Sequence, residues 1–353
     1  MRFIAALGVA AALAFAGAKA PAYLTANLIA QGAAPAPSTG AITGLMHAIH
    51  ATDNVDKTLA FYTQVFGVMG QVQPFTNPNV PLLTDSPGVK LRLSMLRLPS
   101  EEPRGMGFEL TEFTNVERHP AQPKMWDPGA PHMIFLVRDI APVMAGIKAA
   151  NAPIVTRSGA PVKVTSSLGP ATAIVVRDPD GYLVHVFQVE PPAGAPAGNL
   201  IGSLPAETVS DLATSQKFWK DIMGLAATGD AGFKKDKAML DVLGLPDNAE
   251  YRTASGLIPR SNVRMEFFEF RNAGTKTPFS LRVPDPGASG FAINVADIEQ
   301  LLPKLKAQGV RVISKDQALV PWDERTRNVF VKDPDGLNLE LVGRLAAPAP
   351  AAK

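Results

Sequence analysis

Five histidines are the only imidazoles in the chain, and all of them precede residue 186: His47, His50, His119, His132 and His185. Cysteine is absent altogether, which removes thiolate nucleophiles, disulfides and sulfur-ligated metal sites. Imidazole and carboxylate remain, and together they suit Zn²⁺, Fe²⁺, Ni²⁺ or Mn²⁺. Three histidines lie in apolar runs that read as strands: His47 within 45–52, His132 opening 132–137, and His185 within 182–189. Glu109 lies in a comparable run. Alternate residues of a strand share a face, so His50, three residues after His47, faces away and reads as structural. Glu112 points away from Glu109 by the same rule and reads as a surface carboxylate, while His119, before Pro120, reads as an exposed loop residue.

The elements that must position these residues come as a repeat. Glu109-Leu-Thr-Glu112-Phe recurs as Glu266-Phe-Phe-Glu269-Phe, and Asp127-Pro-Gly-Ala as Asp285-Pro-Gly-Ala. Asp178-Pro-Asp-Gly recurs as Asp333-Pro-Asp-Gly, and Phe61-Tyr62 with Gly67 as Phe218-Trp219 with Gly224. Four matches in one order, offset by 155 to 158 residues, mean a duplicated domain. Within each copy the pattern is itself double. Residues 45–52 precede Asp53-Asn54 as a helix cap; Val55, Leu59, Tyr62 and Phe66 then recur at helical spacing until Gly67 stops the helix. Residues 132–137, the cap Asp139, and Ile140, Met144 and Ile147 repeat that order. In the second copy, 291–295, Asp297, Ile298, Leu302 and Leu305 do so again, with Pro303 as an expected kink. The unit is a strand, a helix and several antiparallel strands, used four times. His47 and Glu109 fall on the first and last strands of one unit, His132 and His185 on those of the next. If these units pair about a pseudo-twofold axis, the four side chains converge.

These motifs resemble the vicinal oxygen chelate superfamily, which includes glyoxalase I, extradiol dioxygenases and bleomycin resistance proteins. The run 47–62 resembles its first strand and helix, with His47 at the first ligand place. Phe108-Glu109-Leu110, Pro131-His132-Met133 and Asp178-Pro-Asp-Gly-Tyr-Leu-Val-His185 resemble the strands of the other three, although His185 stands where a glutamate is usual. The resemblance implies an α+β fold of two tandem domains, each with two βαβββ units forming a curved mixed sheet around a metal cup. In the second copy Leu204 and Gly290 replace two ligands and only Glu266 and Glu340 remain. Pairing within the first domain gives His47, Glu109, His132 and His185. Pairing across domains gives His47, Glu109, Gly290 and Glu340 at one site and His132, His185, Leu204 and Glu266 at the other. The first arrangement has more ligands and is the expected site, with Glu109 as the candidate base.

The expected domain plan is a signal peptide at 1–18, a tether at 19–40, a metal-binding domain at 41–190, a linker at 191–198, a second domain at 199–344 and a tail at 345–353. The leader is a basic start, an apolar run of about 14 residues and an Ala-rich end, too short to span a bilayer comfortably. It implies export to the periplasm or beyond, with no membrane insertion after processing. A net charge of +2 without basic runs gives no sign of nucleic-acid binding. The resemblance allows a homodimer. It implies a divalent-metal-dependent enzyme for a small substrate with vicinal oxygens, a lyase, isomerase or ring-cleaving dioxygenase. A fourth ligand of histidine, one unit more positive than carboxylate, favours an anionic substrate. The rival is a non-catalytic binding or resistance protein.

Overall fold

A computed structural model describes residues 41–99, 106–166, 169–261 and 263–345. The expected leader, the tether and all but the first residue of the tail lie outside them. Each unit follows the expected order. The first comprises β1 (Ile42–Thr52), α1 (Val55–Phe66), β2 (Gln73–Phe75), the short α2 (Val80–Leu83), β3 (Lys90–Leu98) and β4 (Met106–Thr114). The second comprises β5 (Pro131–Val137), α3 (Ile140–Ala149), β6 (Val162–Ser166), β7 (Gly169–Arg177) and β8 (Leu183–Gln188). In the third, β9 (Leu200–Thr208) leads to α4 (Leu212–Phe218), a π turn at Trp219–Met223, β10 (Thr228–Gly229), α5 (Lys237–Val242), β11 (Glu250–Leu257) and β12 (Arg264–Arg271). The fourth holds β13 (Ser289–Val295), α6 (Ile298–Ala307), β14 (Val320–Pro321), β15 (Thr326–Lys332) and β16 (Asn338–Arg344).

Local chemistry sets the helix ends. The Asn54 side chain accepts the Lys57 N–H at the start of α1, and Gly67, at φ 70°, closes it in the left-handed conformation that glycine adopts freely. Asp139 and Asp297 cap α3 and α6 in the same way, and α6 runs on through Pro303.

The fold is α+β with two eight-stranded curved mixed sheets, and their composition corrects the expected pairing. One sheet runs β14-β15-β16-β13-β1-β4-β3-β2, the other β10-β11-β12-β9-β5-β8-β7-β6. Units one and four therefore share a sheet through antiparallel β1 and β13, and units two and three share the other through β5 and β9. Units one and two do not lie side by side; they meet back to back through their helices. At Gly146 of α3 a Cβ would come within 2.8 Å of the Gln64 carbonyl and Val65 Cα of α1, so glycine permits that approach. The main core fills the space around these helices, with Tyr62, Phe108, Phe135, Trp219 and Phe267 buried. Burying each such side chain contributes roughly 1.5–3 kcal/mol. Counting ligands had favoured the other pairing, but ligand number is not a folding force. Apolar helix faces and strand edges decide which sheets close.

Candidate active site

The concave face of the first sheet encloses a cavity of about 750 Å³, inside the range of small-molecule sites. His47 on β1, Glu109 on β4, and Asn328 and Glu340 on β15 and β16 line it. His47 lies across from Gly107 in the parallel β1–β4 register, and a Cβ on Gly107 would crowd His47 Cβ at 2.8 Å. His47 Nε2 stands 3.4 Å from Glu109 Oε2, and the Thr111 hydroxyl donates to Glu109 Oε1 at 2.5 Å. The Asn328 amide N–H donates to Glu340 Oε1 at 2.7 Å, leaving its buried Oδ1 without a partner.

The electrostatics of this cluster favour a cation. Burial, and secondarily the charge of Glu109, push Glu340 up to about 7, although Asn328 opposes the shift. Burial also lowers His47, aided by Arg97 and opposed by Glu109. A divalent ion among these groups would relieve the carboxylate repulsion and take neutral imidazole as a ligand. The donor set of one imidazole and two carboxylates thus fits a metal. The three ligand atoms do not all lie within 4.8 Å of one another. Gly290 is closed as well as empty, because a Cβ there would fall 2.0 Å from the Asn338 carbonyl oxygen.

His132 and His185 lie on the other sheet, so the four expected ligands do not converge. Their concave face is packed solid. Leu240 and Leu243 of α5 and its exit sit there with Ile134, Val175, Leu204, Phe268 and Phe270. His132 Nδ1 and His185 Nε2 are 2.9 Å apart, and His132 Nε2 is 2.9 Å from Thr208 Oγ1. Burial pushes His185 down to about 3 and His132 well below its ordinary value, with the neighbouring ring adding to the second shift. Both are neutral hydrogen-bonded core residues. Glu266 is on this sheet too and is buried.

On the convex side of β1, His50 forms a buried cluster with Asp178 and Asp180. Its Nε2 lies 2.8 Å from Asp178 Oδ2, which also accepts the Tyr62 hydroxyl. Burial alone would lower His50, but Asp178 and then Asp180 outweigh it and hold His50 raised. Asp178 Oδ1 accepts the Asp180 and Tyr182 N–H groups, and Asp180 accepts the Asp53 N–H and the Thr58 hydroxyl. Each of these oxygens already accepts at least one protein donor, and the trio is an ion-pair network tying unit one to unit two. His50 faces away from the cup, as strand alternation predicts. Glu112 differs from expectation: it is partly buried, and its Oε2 accepts the Val55 N–H at the start of α1 and pairs with Arg92. His119 is exposed and pairs with Glu117.

Glu340 was foreseen only under the alternative pairing. Asn328 carried no signal in the sequence. What could have exposed the pairing is the apolar character of Leu204, Phe268 and Phe270, which fill a cup, against the polar Asn328 and Glu340, which line one.

A family model described as "Glyoxalase/Bleomycin resistance protein/Dioxygenase superfamily" matches residues 44–186 and 206–341. The chain is similar in fold to glyoxalase I from Zea mays, at 20% identity and TM-score 0.53, over 85% of this chain and 92% of that one. It is also similar to a putative dioxygenase from Bacillus subtilis subsp. subtilis str. 168, at 11% identity and TM-score 0.52, over 88% and 87% of the two chains. No curated protein matches.

Proposed function

The chain belongs to the Glyoxalase/Bleomycin resistance protein/Dioxygenase superfamily, and from that premise we propose that it is a metal-dependent enzyme acting on a small organic substrate in the cup of units one and four. The observation that carries this reading is one cavity holding His47, Glu109 and Glu340 together while the other cup is packed shut. These three residues would hold a divalent ion, with Asn328 fixing Glu340. The bound ion would supply Lewis acidity, favouring oxyanionic or enolate-like character on a substrate with adjacent oxygens. Thr111 orients Glu109 through Oε1, and Oε2, when it is not on the ion, is the base that takes the substrate proton. Leu91, Leu93, Phe113 and Phe330 line the same cavity and keep bulk water from the proton in transit. With His132 and His185 elsewhere, a three-histidine iron site loses its basis, and proton-transfer chemistry of the lyase or isomerase kind is the reading favoured here.

Metal analysis of the purified chain tests this. Wild type should hold close to one ion, and His47→Ala or Glu340→Gln should lose it while His185→Ala retains it. Loss of metal in His185→Ala alone would overturn the reading. Stoichiometric ligand binding by protein that carries no metal as purified would favour the non-catalytic binder. The leader supports export with cleavage after Ala18; an intact mass of the full chain recovered from the cytoplasm would refute that.

A further inference from the structure

The mouth of the cup is not built by units one and four alone. The turn joining β11 to β12, part of the opposite sheet, reaches over it and places Arg260 among the residues lining the cavity. The turn is well tied: Ile258 N–H donates to the Val263 carbonyl, Ser261 donates to the Ile258 carbonyl through both N–H and hydroxyl, and Val263 N–H donates to Ser261 Oγ. Arg260 itself holds a left-handed backbone at φ 55°, an unfavourable conformation for arginine that the hydrogen-bonded turn imposes. Its guanidinium makes no hydrogen bond or ion pair among the described residues, and the side chain is exposed. The other arginine on the lining, Arg344, has Asp323 as a charged neighbour on the same lining. Across the mouth the two edges of the sheet meet, with Phe75 of β2 stacked on Trp322 just after β14 at 6.1 Å and 12°. Met46 and Phe75 are also exposed there, so the entrance joins apolar side chains to the polar Thr43 and Asn294, its two arginines and Asp323.

An unpaired guanidinium on a hydrogen-bonded turn, set above an entrance that carries Met46, Phe75 and Trp322, suits an organic anion whose apolar body enters the cup. We propose that Arg260 is a substrate-anchoring residue for a carboxylate or phosphate on such a substrate, supplied to the site by the otherwise closed half of the molecule. This rests on the cup being the substrate site. The expected charge preference returns on different grounds, since its first basis, His185 as a ligand, does not hold.

The test uses the full chain and three probes of one shape: benzoate, phenyl phosphate and benzamide, followed by ligand-observed NMR. One titration set uses protein as isolated, a second follows chelation, because an anion could also bind a metal directly. Wild type should prefer an anionic probe to benzamide in both sets, and the tighter of the two names the headgroup. Arg260→Asn, which tolerates the left-handed backbone, should weaken the anion roughly tenfold, the loss of one charge-assisted pair, and leave benzamide unchanged. Arg260→Lys should recover part of the loss, and Lys148→Ala on α3 should change nothing. Equal affinity for anions and benzamide, or an unaltered anion affinity in Arg260→Asn, overturns the proposal. Metal content separates the two readings: Arg260→Asn should keep the wild-type stoichiometry. A wild type that carries no metal as isolated, yet binds anions through Arg260, would uphold this inference and sink the enzymatic one.

Discussion

The two sheets are built from the same repeated unit, yet one encloses a cavity and the other a second core. In the open cup the inward positions carry His47, Glu109, Asn328 and Glu340; in the closed one Leu204, Phe268 and the residues of α5 take that space. The same duplication produced a second contrast on the convex side. His50, Asp178, Asp180, Thr58 and Tyr62 recur as Glu207, Asp333, Asp335, Ser215 and Trp219. Asp335 accepts the Ser210 N–H and the Ser215 hydroxyl, as Asp180 accepts those of Asp53 and Thr58. Where the first copy has an imidazole facing a carboxylate, the second has two carboxyl groups. Burial, with the charges of Asp333 and Asp335, raises Glu207 well above the usual range, and Asp333 rises to about 6. Glu207 therefore holds its proton more readily than an exposed carboxyl, and Asp333 Oδ2 beside it accepts from no protein donor among the described residues. A duplicated scaffold keeps its backbone hydrogen bonds and lets the side chains they enclose diverge.

If the closed cup is a true core, truncating it should cost most. Leu240→Ala should lower unfolding free energy by about 2–5 kcal/mol, whereas Leu93→Ala on the cavity wall should cost much less. Denaturant titration reads both, and equal losses would erase the distinction between the cups. Next in size is the metal. His47→Ala should weaken binding by more than about 100-fold, since even partners of metal ligands cost 10–100-fold, while His132→Asn should leave affinity unchanged. Isothermal titration decides.

Acid should act on the closed cup first. His132 and His185 are neutral when folded, but an unfolded histidine takes up a proton below about 6.5. Their depressed values therefore give stability that is complete above about 6.5 and is lost as pH falls toward about 3 for His185, at roughly 1.4 kcal/mol per unit per histidine. His185→Gln should flatten that slope in melts at pH 4 to 7. Glu207 has the opposite sign: a raised carboxyl contributes most below its unfolded value of about 4.3 and loses that contribution as pH rises. The smallest change expected is from Glu207→His, which restores the pairing seen at His50 and should add about 1 kcal/mol near pH 7. A destabilised Glu207→His would show that the flanking Trp219, in the place of Tyr62, has closed that option.

Much of this was legible from residues alone. The fourfold unit, the caps at Asn54, Asp139 and Asp297, and the outward turn of His50 follow from periodicity and hydrogen-bonding chemistry. Which units share a sheet did not, because each first strand offers the same kind of edge to either partner, and the deciding contacts, such as Gly146 against α1, are small and distant in sequence. Glu112 was misjudged for a related reason. Facing away from the cup meant facing a helix end, where a carboxylate accepts N–H groups.

The nested order of pairing also sets an order of assembly. The inner sheet is closed by contacts such as His132 to Thr208, 76 residues apart, and the outer one by contacts such as Ile49 to Ser289, 240 residues apart. Loop-closure entropy and synthesis from the N-terminus both favour the inner sheet forming first. During that interval the first unit must wait with the edge of β1 unpaired, exposing a sticky strand to any other chain nearby. The cup is finished only when residues past 288 arrive, so a nascent chain cut short there would keep its closed half and hold His47 and Glu109 without Glu340.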